Sequence, residues 1–425
     1  MVPVPLTHAQ QVIYDLQSRG ARNLQIALCV RIKGFADPED FRRAAADVTA
    51  RHAVMGSLLE LRDGEPVQRL VERTPSFTLL DITAPVDQQA DRLLSAEADA
   101  PIDLFRERPF RFVLARAGAD EVFLLLVGHH LFTDLAGLRR LLVEYLSLVL
   151  GRPLRTSGAS SDGEDRGFFA YAMAEQKMIG DGTFARRGRY WVSRLNGADP
   201  VLHMPGRGPD PQYQSRASIQ FKIEGSTYQE FTDRARRMRA SNFVLAATAI
   251  FHALREVADQ DNILLSMVSD ARRPPFHRTL GNFAGTSYIQ QCASDAGLAE
   301  KSVQAVSRET VQSIANYVPE VAFFPEVGWL RERLEKGCAT AEAHVNYAPV
   351  KTDISKLFNS PKYEVEYFSL QSRDRASRLP YHGEAIEFRM FPTPNSLTGV
   401  IGYEPAIVAP HTAEKIASVM LDGLT

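Results

Sequence analysis

The 425-residue sequence is poor in cysteine and tryptophan and has no excess of charge of either sign. Its cysteines, Cys29, Cys292 and Cys338, are odd in number, far apart and without metal-ligand spacing. That argues against a disulfide framework and suits reduced thiols in a cytoplasmic protein. Lys plus Arg is 49 against 51 for Asp plus Glu, a net charge of -2, which argues against a nucleic-acid binder with its usual basic domain. No apolar run reaches the length of a membrane span, since the most apolar stretch is only Val122 to Val127. The first residues, MVPVPLTHAQQ, lack a basic segment followed by an apolar one, so no signal peptide is expected.

What is present is an ordinary globular composition, with 45% apolar and 24% charged residues. A chain of this length is expected to form two or three lobes. Arginines cluster at Arg186, Arg187 and Arg189 and again at Arg234, Arg236, Arg237 and Arg239. They read as solvated faces, or as a dock for a phosphate or an acidic partner protein.

The periodicity predicts alternating helices and strands. Helices are expected over 6–19 with Thr7 as N-cap, from Pro38 to about Val54, over 87–99, from Leu138 to Val149, and over 168–179 and 189–195. Strands are expected at Asn23–Ile32, in the extended stretch 67–81, at Phe110–Leu114 and at Glu121–Val127. Val122 to Val127 shows no polar alternation, which predicts a strand buried on both faces. Gly151–Gly167 reads as a linker and His203–Gln212 as a loop. The second half repeats the theme. Strands are expected at 219–223, 262–269, 284–291, 365–370, 385–391 and 398–403, and helices at 227–239, 241–254, 298–316 and 409–421. The boundaries drawn on this pattern are an N-terminal lobe 1–165 and a C-terminal lobe 166–425.

The chemistry is concentrated in His129-His130-Leu131-Phe132-Thr133-Asp134, which follows the buried strand. Histidine titrates near neutrality and suits proton transfer. Asp134, four residues after the second histidine, can cap the next helix or pair with a cation. Taken alone, such a segment is usually two polar strand-end residues and a cap. Zinc would need further ligands at fixed spacing, and no HExxH-type motif is present.

The segment resembles the HHxxxDG motif of the condensation-domain superfamily, which includes nonribosomal peptide synthetase condensation domains, polyketide-associated acyltransferases, wax ester synthases and chloramphenicol acetyltransferase. Other pieces resemble the family in order: Pro5-Leu6-Thr7 with Gln10, Ala50-Arg51-His52, Tyr190-Trp191 with Leu195, Gly197, Pro200, Leu202 and Pro205. Further along, Ser269-Asp270-Ala271-Arg272-Arg273-Pro274, then Leu280-Gly281-Asn282-Phe283 with Thr286, and finally Gly402-Tyr403 do the same.

The resemblance covers nearly the whole chain. It implies an α/β fold of two chloramphenicol-acetyltransferase-like lobes forming a V with a central tunnel. It implies a free-standing, monomeric acyltransferase of secondary metabolism that binds no metal and no resident cofactor. The acyl group would arrive as a pantetheine thioester on an acyl or peptidyl carrier protein or on coenzyme A, and pass to an amine or alcohol. Carried over by position, His130 would take or position the nucleophile's proton, with His129 beside it in the motif. Asp134 would be held by Arg272, or by Arg273 in its place. Leu135, Gly137, Asn282 and Thr286 would line the tunnel, or Asn282 and Thr286 would only satisfy sheet-edge backbone groups. Leu135 stands where the family has glycine, with the next glycine at Gly137. This departure points to a reshaped tunnel, or to the alternative of a catalytically silent member that recruits a partner protein to a carrier-bound intermediate.

Overall fold

The computed structural model describes residues 3–21, 24–34, 37–152, 167–208, 216–292, 297–336, 341–349, 353–371 and 383–425. Most of the expected linker Gly151–Gly167, the end of the expected loop His203–Gln212, the boundary at 165/166 and Cys338 lie outside these residues. Two compact units interleave along the chain. The first takes Met1–Gly180, Arg272–Phe283 and Thr352–Ser377, and the second takes the rest.

The chain runs β1 (Val4–Pro5), α1 (His8–Ser18), β2 (Gln25–Lys33), α2 (Pro38–Arg51), β3 (Ser57–Arg62) and β4 (Glu65–Leu70). It continues through β5 (Ser76–Asp81), α3 (Val86–Asp99), β6 (Phe110–Arg116), β7 (Glu121–His129), α4 (Leu135–Val149) and α5 (Gly167–Gly180). Next along the chain are α6 (Thr183–Leu195), β8 (Ala217–Glu224), α7 (Gly225–Arg237), α8 (Asn242–Arg255), β9 (Asn262–Asp270) and β10 (Ala284–Cys292). Then come α9 (Glu300–Ala315), α10 (Gly328–Glu335), β11 (Ala343–Tyr347), α11 (Ile354–Phe358), β12 (Glu364–Tyr367), β13 (Ile386–Pro392), β14 (Ser396–Tyr403) and α12 (Pro410–Leu424).

Helix starts follow their caps. Thr7 forms a full capping box with Gln10, its hydroxyl accepting the Gln10 N–H while the Gln10 side chain accepts the Thr7 N–H. Asp37 caps α2 just before Pro38, and Ser241 caps α8.

The first unit is built on a five-stranded sheet of order β12-β2-β7-β6-β5, with a separate three-stranded sheet β1-β4-β3. β7 is central, between β2 and β6, and is buried from Val122 to His129. This accounts for the unbroken apolar run: a strand covered on both faces has no solvent side to carry polar residues. α2 and α4 pack together beside this sheet, and the Tyr145 hydroxyl donates to the Phe41 carbonyl (2.9 Å). The outer strand β12 lies in the second half of the sequence yet pairs antiparallel with β2, Val365 opposite Ile32. The sequence pattern identifies a strand there but carries no signal for which sheet it joins.

The segment Arg272–Phe283 also belongs to the first unit. It is held by aromatic packing against α5. Phe168 meets the Phe283 ring edge-on at 5.4 Å, and Tyr171 lies 4.6 Å from Phe283 and 5.5 Å from Phe276. Gly281 lets the chain approach: a Cβ there would lie 2.1 Å from a Phe168 ring carbon.

The second unit has a six-stranded sheet of order β10-β9-β11-β13-β14-β8, in which β9, β11 and β13 run parallel. Ile263, Leu265 and Met267 of β9, Ala343 and Val345 of β11, and Ile386, Phe388 and Met390 of β13 join one core with Phe231, Phe251 and Ile416 of α7, α8 and α12. The intervening residues of those strands face the opposite side of the sheet.

Replacing Gly281 by Ala should overpack the Phe168 contact and destabilise the protein by about 1–3 kcal/mol. Denaturant unfolding of the Gly281→Ala variant checks this.

Candidate active site

The site grows from the end of β7. His129 is its last residue, and the chain turns immediately, with the Phe132 and Thr133 N–H groups both donating to the His129 carbonyl. The His130 N–H is taken up by the Leu24 carbonyl at 2.8 Å. Leu131, Phe132 and Thr133 are fully buried, so the turn is anchored by packing on either side of its polar groups.

The two histidines differ. His129 is buried, and its Nδ1 accepts the Leu131 N–H at 3.2 Å. The proton of the neutral ring is therefore on Nε2. Burial first, and the neighbouring His130 second, push its pKa down to about 3. His129 is thus a neutral acceptor that shapes the turn. His130 is only half-buried, and its Nδ1 lies 3.1 Å from the Thr133 carbonyl oxygen. A carbonyl oxygen can only accept, so in the neutral ring Nδ1 carries the proton and Nε2 keeps its lone pair. That is the protonation pattern a general base requires.

Asp134 closes the turn as N-cap of α4. Its Oδ1 accepts from the Gly137 N–H (2.7 Å) and Arg272 Nη2 (3.0 Å), and its Oδ2 from Arg272 Nη1 (2.8 Å) and the Phe283 N–H (2.9 Å). The side chains of Asp134 and Arg272 are only 8% and 2% exposed. Arg272 has further acceptors in the Thr279 carbonyl (3.2 Å, from Nε) and the Gly281 carbonyl (3.0 Å), and lies 4.5 Å over the Phe283 ring. A buried ion pair is tolerable when its lone pairs and protons are filled in this way. Arg272 and not Arg273 makes the pair; Arg273 Nη1 donates to the Arg272 carbonyl instead.

Leu135 is the first residue of α4, half-buried and with ordinary helical backbone, so no left-handed conformation is needed there. The demand for a small residue falls at Gly137. A Cβ on Gly137 would lie 3.0 Å from Thr133 Oγ1 and 3.2 Å from both Arg272 Nη2 and Leu280 Cδ1. Asn282 is buried in the first unit within the segment that Arg272 anchors, whereas Thr286 is half-buried on β10 in the second. Among the described residues no group of three or more His, Cys, Asp and Glu could hold a metal ion, and no helix is long and apolar enough to cross a membrane. The carbonyls of Leu24 and Thr133, which orient His130, went unread in the sequence because main-chain acceptors leave no residue signature.

The architecture, a mixed α/β fold of two sheet-based units, is that of chloramphenicol-acetyltransferase-like proteins. The solved structure of the SgcC5 protein from Streptomyces globisporus matches it with a TM-score of 0.76 over 99% of this chain and 97% of that one, at 17% identity. The Condensation domain family model matches residues 3–314, and the chain belongs to that family. Among curated relatives, isonitrile lipopeptide synthase of Mycobacterium tuberculosis is 26% identical over 321 residues, 72% of this chain. Phosphinothricin tripeptide synthetase PhsC of Streptomyces viridochromogenes is 27% identical over 330 residues, 73% of this chain. The matched stretches span only 13% and 29% of those relatives' own lengths. Both relatives are named as synthases of peptides, a lipopeptide and a tripeptide.

Two outcomes are expected. Asp134→Asn weakens the acceptor set around a buried guanidinium and should cost about 3–5 kcal/mol in denaturant unfolding. His129 makes the fold acid-sensitive. Its folded pKa lies below its unfolded value, so its contribution is intact above about 6.5 and is lost as pH falls toward about 3. In His129→Asn, Oδ1 can still accept the Leu131 N–H. Its stability should therefore fall less than the parent's between about pH 7 and about pH 4.5, measured by unfolding at each pH.

Proposed function

We propose that this protein is an acyltransferase that moves an acyl group from a pantetheine thioester to an amine or hydroxyl acceptor, forming an amide or an ester. The observation that carries the reading is the 3.1 Å contact of His130 Nδ1 with the Thr133 carbonyl, which draws the proton of the neutral ring to Nδ1 and leaves the lone pair on Nε2. Nε2 takes the proton from the acceptor as its nitrogen or oxygen attacks the thioester carbonyl carbon. The C–S bond then breaks, and the imidazolium returns the proton to the departing thiolate. His129 holds the turn as a neutral acceptor, and Asp134, fixed by Arg272, holds the helix start that follows. Both are positioning residues. The donor is an acyl or peptidyl carrier protein or coenzyme A, the protein acts as a monomer in the cytoplasm, and no metal or resident cofactor takes part.

The deciding experiment replaces His130 by Ala and follows product by mass spectrometry, with acyl-carrier and acyl-coenzyme A donors against amine and alcohol acceptors. Transfer should fall by about 10²–10⁴-fold, the usual contribution of a general base. Transfer unchanged within a factor of about three would remove His130 from the chemistry. No transfer from the parent protein with any donor would favour the silent, partner-recruiting alternative.

A further inference from the structure

The face of the second unit's sheet that points away from its helical core carries a polar row that the acyl-transfer chemistry does not use. Ser266, His344 and Glu387 are neighbours across β9, β11 and β13, and all three are buried. His344 Nδ1 lies 2.9 Å from Ser266 Oγ, whose hydroxyl also bonds the Ala343 carbonyl (3.1 Å). Glu387 is the hub. Its Oε1 accepts from Arg389 Nε (2.7 Å), and its Oε2 accepts from Arg389 Nη2 (2.7 Å) and Arg216 Nη1 (2.8 Å). Arg216 Nη2 goes on to Glu384 (2.9 Å). Burial opposes the charge on Glu387, yet Arg389, His344 and Arg216 hold its carboxyl well below the usual carboxylate range.

Two residues further along the same strands, the character changes. Asn346 lies directly opposite Arg389, and Val400 flanks Arg389 on the other side. Asn346 and Val400 are half-buried, and the Arg389 side chain is 43% exposed. Glu387 engages Arg389 through Nε and Nη2, which fixes the plane of the guanidinium and leaves Nη1 without a partner among the described residues. The Asn346 side-chain amide likewise has no hydrogen-bond partner among the described residues. If Arg389 served only to neutralise Glu387, Arg216 would already share that work, and neither the oriented Nη1 nor the adjacent unspent amide would have a use. The four charged groups, Arg216, Arg389, Glu384 and Glu387, balance, so the site can take up one negative charge without a large excess of either sign.

We propose that Asn346 and Arg389 form a recognition point for an oxyanion, a carboxylate or phosphate group, on a substrate of this protein. Calling the ligand a substrate rests on the acyl-transfer reading; binding itself is measured without turnover. A fixed guanidinium with a neighbouring amide donor matches an oxyanion's paired acceptors. A carboxylate would come from the acyl acceptor and a phosphate from the donor arm.

The test is calorimetric titration of the full chain with coenzyme A against phosphate-free pantetheine, and with free amino acids against their carboxamides. In one pair the anionic member should bind about tenfold or more tighter than its counterpart, the usual weight of a hydrogen bond to a charged group. Arg389→Gln should collapse that preference to within about twofold while leaving binding of the members that lack the carboxylate or phosphate unaffected. Asn346→Ala, which spares the Glu387 ion pair, should weaken the anionic member by about threefold or more, and this keeps the test open if Arg389→Gln fails to fold. A preference that survives both variants overturns the proposal, as does the absence of any preference for an anionic probe. The same titrations on His130→Ala separate the two readings. Binding retained with transfer lost upholds both, whereas transfer retained sinks the role of His130 and leaves the Arg389 result standing.

Discussion

The carboxylate of Asp134 is the interaction on which the site depends. It receives four donors from three places in the sequence: the start of α4, the guanidinium of Arg272 and the main chain at Phe283. A residue that only capped a helix would need one of them. The extra donors tie a distant stretch of chain to the turn that follows β7, and the aromatic packing of Phe168, Tyr171 and Phe283 completes that attachment. Because the pair is buried, desolvation offsets much of its Coulombic gain. Removing either partner leaves a charge that the interior cannot accommodate.

The division of labour between the histidines follows from geometry. Both are aromatic bases beside one another, yet one is enclosed and accepts a main-chain N–H, while the other is half-open and donates to a main-chain carbonyl. Burial keeps His129 neutral, so it does not place a second positive charge beside His130 across the pH range in which acyl transfer is expected to run. The pair is thus one structural base and one chemical base, which a shared residue type conceals.

Much of this was legible in the residues. The unbroken run before His129 announced a strand covered on both faces, Thr7, Pro38 and Ser241 announced helix starts, and Asp134 announced a cap. The ordered motif pieces led to the fold and to the Asp134–Arg272 pair, with Arg273 left open as the alternative. What was not legible has a common cause. The pairing of β12 with β2 and the attachment of Arg272–Phe283 to the first unit are long-range contacts, and local periodicity is blind to the partner. The tautomer of His130 depends on a main-chain carbonyl, which every residue possesses. The local backbone at Leu135 was not legible either. The backbone there is plain helix, and the tight approach belongs to Gly137. The polar row of the second unit was missed because Ser266, His344 and Glu387 are far apart in sequence and meet only through strand register.

The turn presents His130 as a base with its lone pair on Nε2. Nitrogen NMR of the ¹⁵N-histidine-labelled protein, resolving the ring nitrogens of His129 and His130, tests it most directly. In the neutral ring form, His130 is expected to carry its proton on Nδ1 and His129 on Nε2. A neutral His130 ring protonated on Nε2 would contradict this, since no lone pair would then be available there to take the acceptor's proton.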